Sequence, residues 1–326
     1  MRLTIINVGY GDALLLETED GYTALLDGGS ALPGEFAGDA YRVRSADYLE
    51  SRGIRHLDTV LISHIHEDHV CGLEPVFDRC TVDRVYVPYP TAPFLAGREL
   101  TPQPGAARSV PLYTAALNAY RRLLLGCRER SIPVSQVAPG DTLDLAPDLT
   151  VRVLAPGRAS IDAYMALVER AYRSEDEAEV TAALTELDRT SNRTSFLLRI
   201  EGGGCVTLAA ADSVPSEWSG VPKNLLENVN VLKLPHHGQI DSIDEHLMGK
   251  MPLKYVITTS ASDRRYNSAN PGVYQRLTAL FPAEKAPAFL FSDERSYPPY
   301  FSQPEGFQAI TLVMNSGVIT PEFVKI

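Results

Sequence analysis

The sequence predicts an α/β fold of two β-sheets flanked by helices, and three observations point to it. Short apolar, β-branched runs bounded by Gly, Asp and Pro recur in both halves of the chain. Segments with helical spacing of apolar residues are interspersed among these runs rather than gathered at one end. The composition, 44% hydrophobic and 22% charged over 326 residues, is that of a globular protein with material for a large buried core.

The first 30 residues read as a hairpin, with Leu3 and Ile5, then Leu14, Leu15 and Leu16, on either side of the turn residues Gly9, Gly11 and Asp12. A strand over 23–26 ends at Asp27-Gly28-Gly29, a helix covers 41–51, and 59–63 is a β-branched, buried strand. Another short strand follows at 81–87. Residues 88–110, rich in Pro and Gly, read as an irregular insertion. The next helix, 112–130, places Leu112, Ala116, Leu123 and Leu124 near helical spacing. Strands return at 142–145 and 150–154, and an acidic helical stretch at 161–187 reads as a second insertion or a cover over a cleft. Further strands are expected at 196–200, 206–210, 229–234 and 255–259, then a helix at 272–280 and a closing strand pair within 289–291 and 310–314. The pattern suggests one domain over 1–326 with insertions near 88–130 and 158–190, and no internal repeat.

The formal net charge of −11 argues against a protein that coats long duplex nucleic acid. It leaves a phosphate substrate open, because a bound dication can reverse the sign of a local cleft. No apolar run is long enough to span a bilayer, and the opening MRLTIINVGYGDALLLE lacks the features of a signal peptide. Cys71, Cys80, Cys127 and Cys205 form no CxxC pair and read as free thiols, so a cytoplasmic location is expected.

His64-Ile65-His66-Glu67-Asp68-His69 is the strongest chemical signal. It follows an apolar strand, so its side chains sit in a loop at a rigid strand end. Imidazoles and a carboxylate are donors that a borderline ion such as Zn²⁺ prefers. Four donors in six residues are too crowded for one ion, and the spacing suggests two adjacent ions. The bland alternative is a surface loop with incidental histidines. A second cluster, His236-His237-Gly238, also follows an apolar strand, with a helix-capping or hydrogen-bonding histidine pair as its alternative. Asp212 ends a strand and can bridge two ions or simply cap a turn. Asp27 can orient a ligand imidazole or serve plain turn chemistry. His56 and His246 have no partner pattern.

HIHEDH matches the HxHxDH signature of the metallo-β-lactamase fold. With INVGYGDALLLE, ALLDGG, LDTVLISHIHEDHVCGL, PGDTLDLAPDLTVRVLAP, NRTSFLLRI, TLAAADS and VLKLPHHGQIDS in that order, the chain resembles the metallo-β-lactamase-like domain of the bacterial competence (DNA-uptake) protein and its stand-alone soluble relatives. A weaker match is Arg264-Arg265-Tyr266-Asn267. The resemblance implies an αββα four-layer sandwich. It also implies ligands His64, His66, Asp68, His69, Asp212 and a histidine of PHHG, for which His237 is chosen and His236 is the alternative or a phosphate-facing residue.

Three departures stand out. No histidine lies between His69 and His236, and Asn192 falls where the fold's third-motif histidine would sit. Asn267 and Ser268 stand where relatives often carry a histidine, and Cys71 replaces a glycine. The ion held by His64, His66 and Asp212, with Asn192 nearby, is therefore expected to be the weaker of two, and its having fewer nitrogens and more oxygens shifts preference toward Mn²⁺ or a partly filled site. The expected chemistry is hydrolysis by a metal-bound hydroxide, with one or two Zn²⁺ ions or Mn²⁺. Asp68 would orient the water and accept its proton, and His236 would assist the leaving group. A phosphodiester, nucleic acid or smaller, is the favoured substrate, with Arg193, Lys233, Arg264 and Arg265 as candidate phosphate contacts. The rivals are an ester, lactone or thioester hydrolase, marked by an apolar cleft, and a degenerate metal-binding module acting through a protein partner.

Overall fold

The computed structural model describes residues 1–293, 300–301 and 303–326. Its strands form an eight-stranded sheet and a seven-stranded sheet, with a small two-stranded ribbon, His56–Leu57 beside Thr81–Val82. The first sheet runs in the spatial order Val318–Val324, Ala309–Asn315, Arg2–Ile6, Leu14–Glu17, Thr23–Leu26, Thr59–Leu61, Val85–Val87, Val134–Gln136. The second runs Ala288–Phe291, Tyr255–Thr258, Val231–Lys233, Cys205–Ala209, Leu197–Gly202, Leu149–Ala155, Thr142–Ala146.

The period-two alternation of side chains along a strand explains the layering. Leu14 and Leu16 join Leu3 and Ile5 in a core that meets Val151, Val153, Leu198 and Ile200 of the second sheet. Leu15 points the other way, with Leu25, Val60 and Ile62, into a core shared with the helices Ser45–Ser51, Leu73–Arg79, Ser109–Glu129, Arg158–Arg173 and Glu177–Thr190. On the far face of the second sheet, Leu208, Leu232 and Val256 pack against Val273, Tyr274 and Leu277 of the helix Pro271–Ala279. Helix, sheet, sheet and helix layers follow in turn, so the LLL run of the first hairpin is buried on both faces.

Several local expectations need correction. The runs at 289–291 and 310–314 do not pair. The first lies parallel to Tyr255–Thr258 in the second sheet, and the second antiparallel to Arg2–Ile6 in the first. A parallel neighbour needs a crossover, which Pro271–Ala279 supplies. The last strand, Val318–Val324, was not anticipated. It carries Pro321, tolerated because this is the sheet edge, and it turns back through Ser316 and Gly317, both left-handed. The edge strand Val134–Gln136 and the helical turn Ala92–Ala96 inside the Pro-rich insertion were also missed. The helix expected from 41 starts at Ser45, because Val43 donates its backbone N–H to Asn7 instead. The stretch 161–187 is two helices, broken where Asp176 caps the second by accepting from Ala178 N. The strand expected at 81–87 is interrupted, its two ends belonging to different sheets.

Thr23–Leu26, Thr59–Leu61 and Val85–Val87 are mutually parallel, as are Cys205–Ala209, Val231–Lys233 and Tyr255–Thr258. Parallel strands bring successive carboxyl ends to one side, where open α/β sheets place their ligands. The segments that leave those ends carry Asp27, 63–69, Asp212 and 235–238.

Candidate metal centre

Beyond Thr59–Leu61 the chain passes through buried Ser63 and His64, and His66 caps the short helix Glu67–Val70 in an extended conformation. This single turn puts Asp68 and His69 side by side. The first hairpin turn lies against it. Asp12 N donates to Asp68 O at 3.1 Å, and a Cβ on Gly11 would stand 2.3 Å from that carbonyl, so the close approach requires glycine. From the second sheet, the Pro235–Gly238 segment has His236 and His237 both left-handed (φ 48° and 53°), which turns His237 inward to full burial and leaves His236 facing the cleft.

Asp68 Oδ2 lies 3.0 Å from His237 Nε2 and 3.7 Å from His69 Nε2. Asp212 Oδ1 lies 3.3 Å from His237 Nε2 and 3.4 Å from His69 Nε2. Donors about 2.0–2.1 Å from one tetrahedral ion stand roughly 3.3–3.4 Å apart; Asp68, His69 and His237 are close enough together to share an ion, and Asp212 stands beside both histidines. His69 Nε2, His237 Nε2 and Asp212 Oδ1 are also buried without a hydrogen bond, a costly arrangement unless a cation satisfies them. Beside them, Asp212 Oδ2 is 3.8 Å from His64 Nε2, which is 3.0 Å from His66 Nδ1. Asn192 lines the same cleft, and its buried Oδ1 has no hydrogen-bond partner. The residues present therefore fit a divalent ion at the first group and offer a second, less complete set. His237, rather than His236, sits among the donors.

The outer nitrogens of the imidazoles are engaged as well, which fixes ring orientation and tautomer. His69 Nδ1–H donates to Asp27 Oδ2 at 2.8 Å, and His237 Nδ1–H to Thr259 O at 2.8 Å. His64 Nδ1 lies 3.0 Å from Ser63 Oγ, whose hydroxyl donates to Asp27 Oδ2 at 2.6 Å. Asp27 thus holds two of the rings. For His66 the pattern inverts: Nε2 faces Asp188 O at 3.3 Å and Asp188 Oδ1 at 3.6 Å, leaving Nδ1 toward His64. Asp188, Ser63 and Thr259 carried no signal in the sequence. The contact from Asp188 to His66 spans 122 residues, and nothing local to either announces it.

The electrostatics favour positive charge in the cluster. Burial alone would push the Asp68 and Asp212 carboxyls up, but the neighbouring His69 and His237 hold both below the usual carboxylate range. Burial would lower His69, yet Asp212 and Asp68 raise it well above an ordinary imidazole. His64, by contrast, is lowered by burial and by His69 beside it. Protons and a divalent ion compete for the same carboxylates and imidazoles, so metal affinity rises with pH. Burial also pushes the Glu67 carboxyl up to about 7, while it accepts from Ser30 Oγ and Ala31 N and pins that loop to the motif.

The centre lies along a cavity of about 570 Å³ lined by both charged and apolar side chains. Of the four expected phosphate contacts, only Arg265 lines it, tied to Asp263 and Glu35. Lys233 does not line the cleft. It is fully buried, paired with Asp12 and donating to Ala211 O at 2.9 Å. Arg193 is exposed beside Glu217, and neither it nor Arg264 lines the cleft. Arg108, which the sequence did not single out, does line it and makes no ion pair among the described residues. His236 lies there with its Nδ1 3.1 Å from Asp241. Burial would lower its pKa, but Asp241 and Asp212 raise it.

The position of Asn192 gives a direct test of the missing histidine. A neutral amide oxygen donates less to a borderline ion than an imidazole does. Asn192→His should tighten the weaker of two binding steps by about tenfold or more in a zinc titration and raise the zinc-to-protein ratio toward two. Two equally tight sites in the unsubstituted protein would show that Asn192 does not limit binding.

A model of the metallo-beta-lactamase superfamily matches residues 6–154, a stretch that carries Asp27 and the HIHEDH motif. The ComE operon protein 3 of Bacillus subtilis (strain 168) is 22% identical over 289 residues, covering 85% of this chain. The chain spans only 30% of the length of that curated relative. The metallo-beta-lactamase fold protein YhfI from Bacillus subtilis superposes with a TM-score of 0.43 at 14% identity, over 89% of this chain and 95% of its own. A diphosphatase of the PhnP family superposes at 0.42 with 12% identity, over 90% and 95%. The superfamily match covers residues 6–154, the stretch that carries Asp27 and the HIHEDH motif, and the chain's two-sheet architecture is consistent with the metallo-beta-lactamase fold.

Proposed function

We propose that the protein is a metal-dependent hydrolase of phosphodiester bonds, acting on a small or single-stranded substrate. The observation that carries this is the pairing of a carboxylate–imidazole donor cluster with guanidinium groups, Arg108 and Arg265, on the walls of one cleft. A divalent ion held by Asp68, His69, His237 and Asp212 would acidify a water molecule and offset negative charge on the scissile group. Asp68 would orient that water and take its proton, a reading supported by its carboxylate reaching the cleft. Arg108 supplies a planar set of donors suited to a phosphoryl oxygen. His236, held by Asp241 at the cleft, would donate a proton to a leaving oxygen. The net charge of −11 disfavours a long duplex and leaves smaller phosphodiesters.

A second reading, hydrolysis of a carboxylic ester, lactone or thioester, is favoured by one feature: Leu32, Leu112, Tyr113 and Tyr266 give the same cleft an apolar side. The metal-reconstituted protein assayed on bis(p-nitrophenyl) phosphate, p-nitrophenyl butyrate and an acyl-homoserine lactone separates the two. The phosphodiester should lead in kcat/KM by about 100-fold or more. The reverse order would assign the carbonyl reaction. Stoichiometric metal with no turnover of any substrate would favour a binding module acting through a protein partner.

A further inference from the structure

Among the large apolar side chains of the described residues, Tyr266 is conspicuously exposed, at 59%, yet it lines the cleft rather than the outer surface. It belongs to a loop with an unusual backbone. Arg264, Tyr266, Asn267 and Ala269 have φ of 50°, 58°, 59° and 43°, the left-handed region that costs free energy for residues other than glycine. Such a conformation persists only where its surroundings over-determine it. Here Ala269 N and Asn270 N donate to the carbonyls of His237 and Gly238 at 2.9 Å each. Ser260 Oγ donates to Ser268 Oγ at 2.7 Å, and the Arg265 guanidinium is clasped by Asp263 and Glu35. The loop is therefore bolted to the segment that carries a metal-site histidine.

The rings also form a continuous ladder. His237 and Tyr10 have centroids 4.4 Å apart, and Tyr10 and Tyr266 meet edge to face at 5.2 Å. The ladder starts at the donor cluster and ends on a ring open to solvent. A substrate whose reacting group sits at Asp68 and Asp212 would run its substituent along it.

We propose that Tyr266 is a binding platform for a planar aromatic substituent on the substrate, so that the cleft selects aryl or nucleoside esters of phosphoric acid over alkyl ones. This rests on the phosphodiester reading for the reacting group, but the aromatic preference has its own test. Stacking requires a ring held in place beforehand, and the braced, left-handed loop supplies that. Every aromatic substituent has a π-face, so a platform of this kind takes phenyl rings and nucleobases alike.

The test is binding rather than turnover. Titration calorimetry with the zinc-loaded protein compares methylphosphonate, phenylphosphonate and adenosine 5′-monophosphate, for the unsubstituted chain, Tyr266→Phe and Tyr266→Ala. The unsubstituted protein should bind the aromatic ligands about tenfold more tightly than methylphosphonate. Tyr266→Phe should keep that preference, and Tyr266→Ala should reduce it to about twofold or less, with methylphosphonate affinity held to show an intact site. Tight phenylphosphonate with weak nucleotide would identify aryl esters, and comparable affinity for both would admit nucleosides. An aromatic preference that survives Tyr266→Ala, or none in the unsubstituted protein, would overturn the proposal. Aromatic binding through Tyr266 without phosphodiester turnover would retire the reaction and keep the platform. Turnover without aromatic preference would do the reverse.

Discussion

On the proposed function, Asp68→Ala should lower phosphodiester turnover on the order of 10³-fold or more, because loss of an outer partner alone typically costs 10–100-fold and Asp68 stands among the donors themselves. Its carboxylate stands 3.0 Å from His237 Nε2 and 3.7 Å from His69 Nε2, and its side chain keeps 16% exposure toward the cleft. Removing it deletes one donor of the better-formed group and the base nearest the water. The fold should survive, because the contact that seats the first hairpin turn runs to the Asp68 backbone carbonyl, which the substitution leaves in place. Circular dichroism and metal content measured beside turnover separate these effects. Unchanged secondary structure with less bound zinc and no turnover is the expected pattern. Turnover within about threefold of the unsubstituted protein would remove Asp68 from the chemistry.

The layering and the closeness of the motif's imidazoles and carboxylate were legible in the sequence because both are local signals. Alternation within Leu14, Leu15 and Leu16 assigns faces without knowledge of the rest of the chain. His64, His66, Asp68 and His69 fall within one strand end and one helical turn, so their proximity is guaranteed by covalent connection. What stayed hidden depends on distant pairing. An apolar run such as 289–291 looks the same whether it joins one sheet or the other, and the crossover helix before it decides. Asp188 reads as an ordinary residue of an acidic helix until that helix folds over His66. Tyr266 gains its place in the cleft only from a left-handed loop that has no glycine to announce it.

Lys233 is the sharpest such case, and it carries the largest expected stability effect. Within VLKLP it reads as a cation at a strand end, available to a phosphate. In the structure it is fully buried, with Asp12 at 1% exposure as its partner. A buried pair broken on one side leaves an uncompensated charge, so Lys233→Met should destabilise the protein by about 3–5 kcal/mol. Met matches the length of the lysine stem, which keeps the packing loss small beside the electrostatic one. The consequence reaches the metal centre through two hydrogen bonds. The Lys233 ammonium donates to Ala211 O, next to Asp212, while Asp12 Oδ1 accepts from Thr259 Oγ1, at the residue whose carbonyl receives His237 Nδ1–H. Zinc affinity should therefore fall by roughly 10–100-fold alongside stability. Adding Asp12→Asn to Lys233→Met removes the stranded charge and should recover about half of the lost stability or more, measured by urea unfolding of the metal-free proteins. A Lys233→Met protein as stable as the original would mean that the ammonium contributes nothing net at this position. Full stability with weakened zinc binding would make it a positioning residue alone.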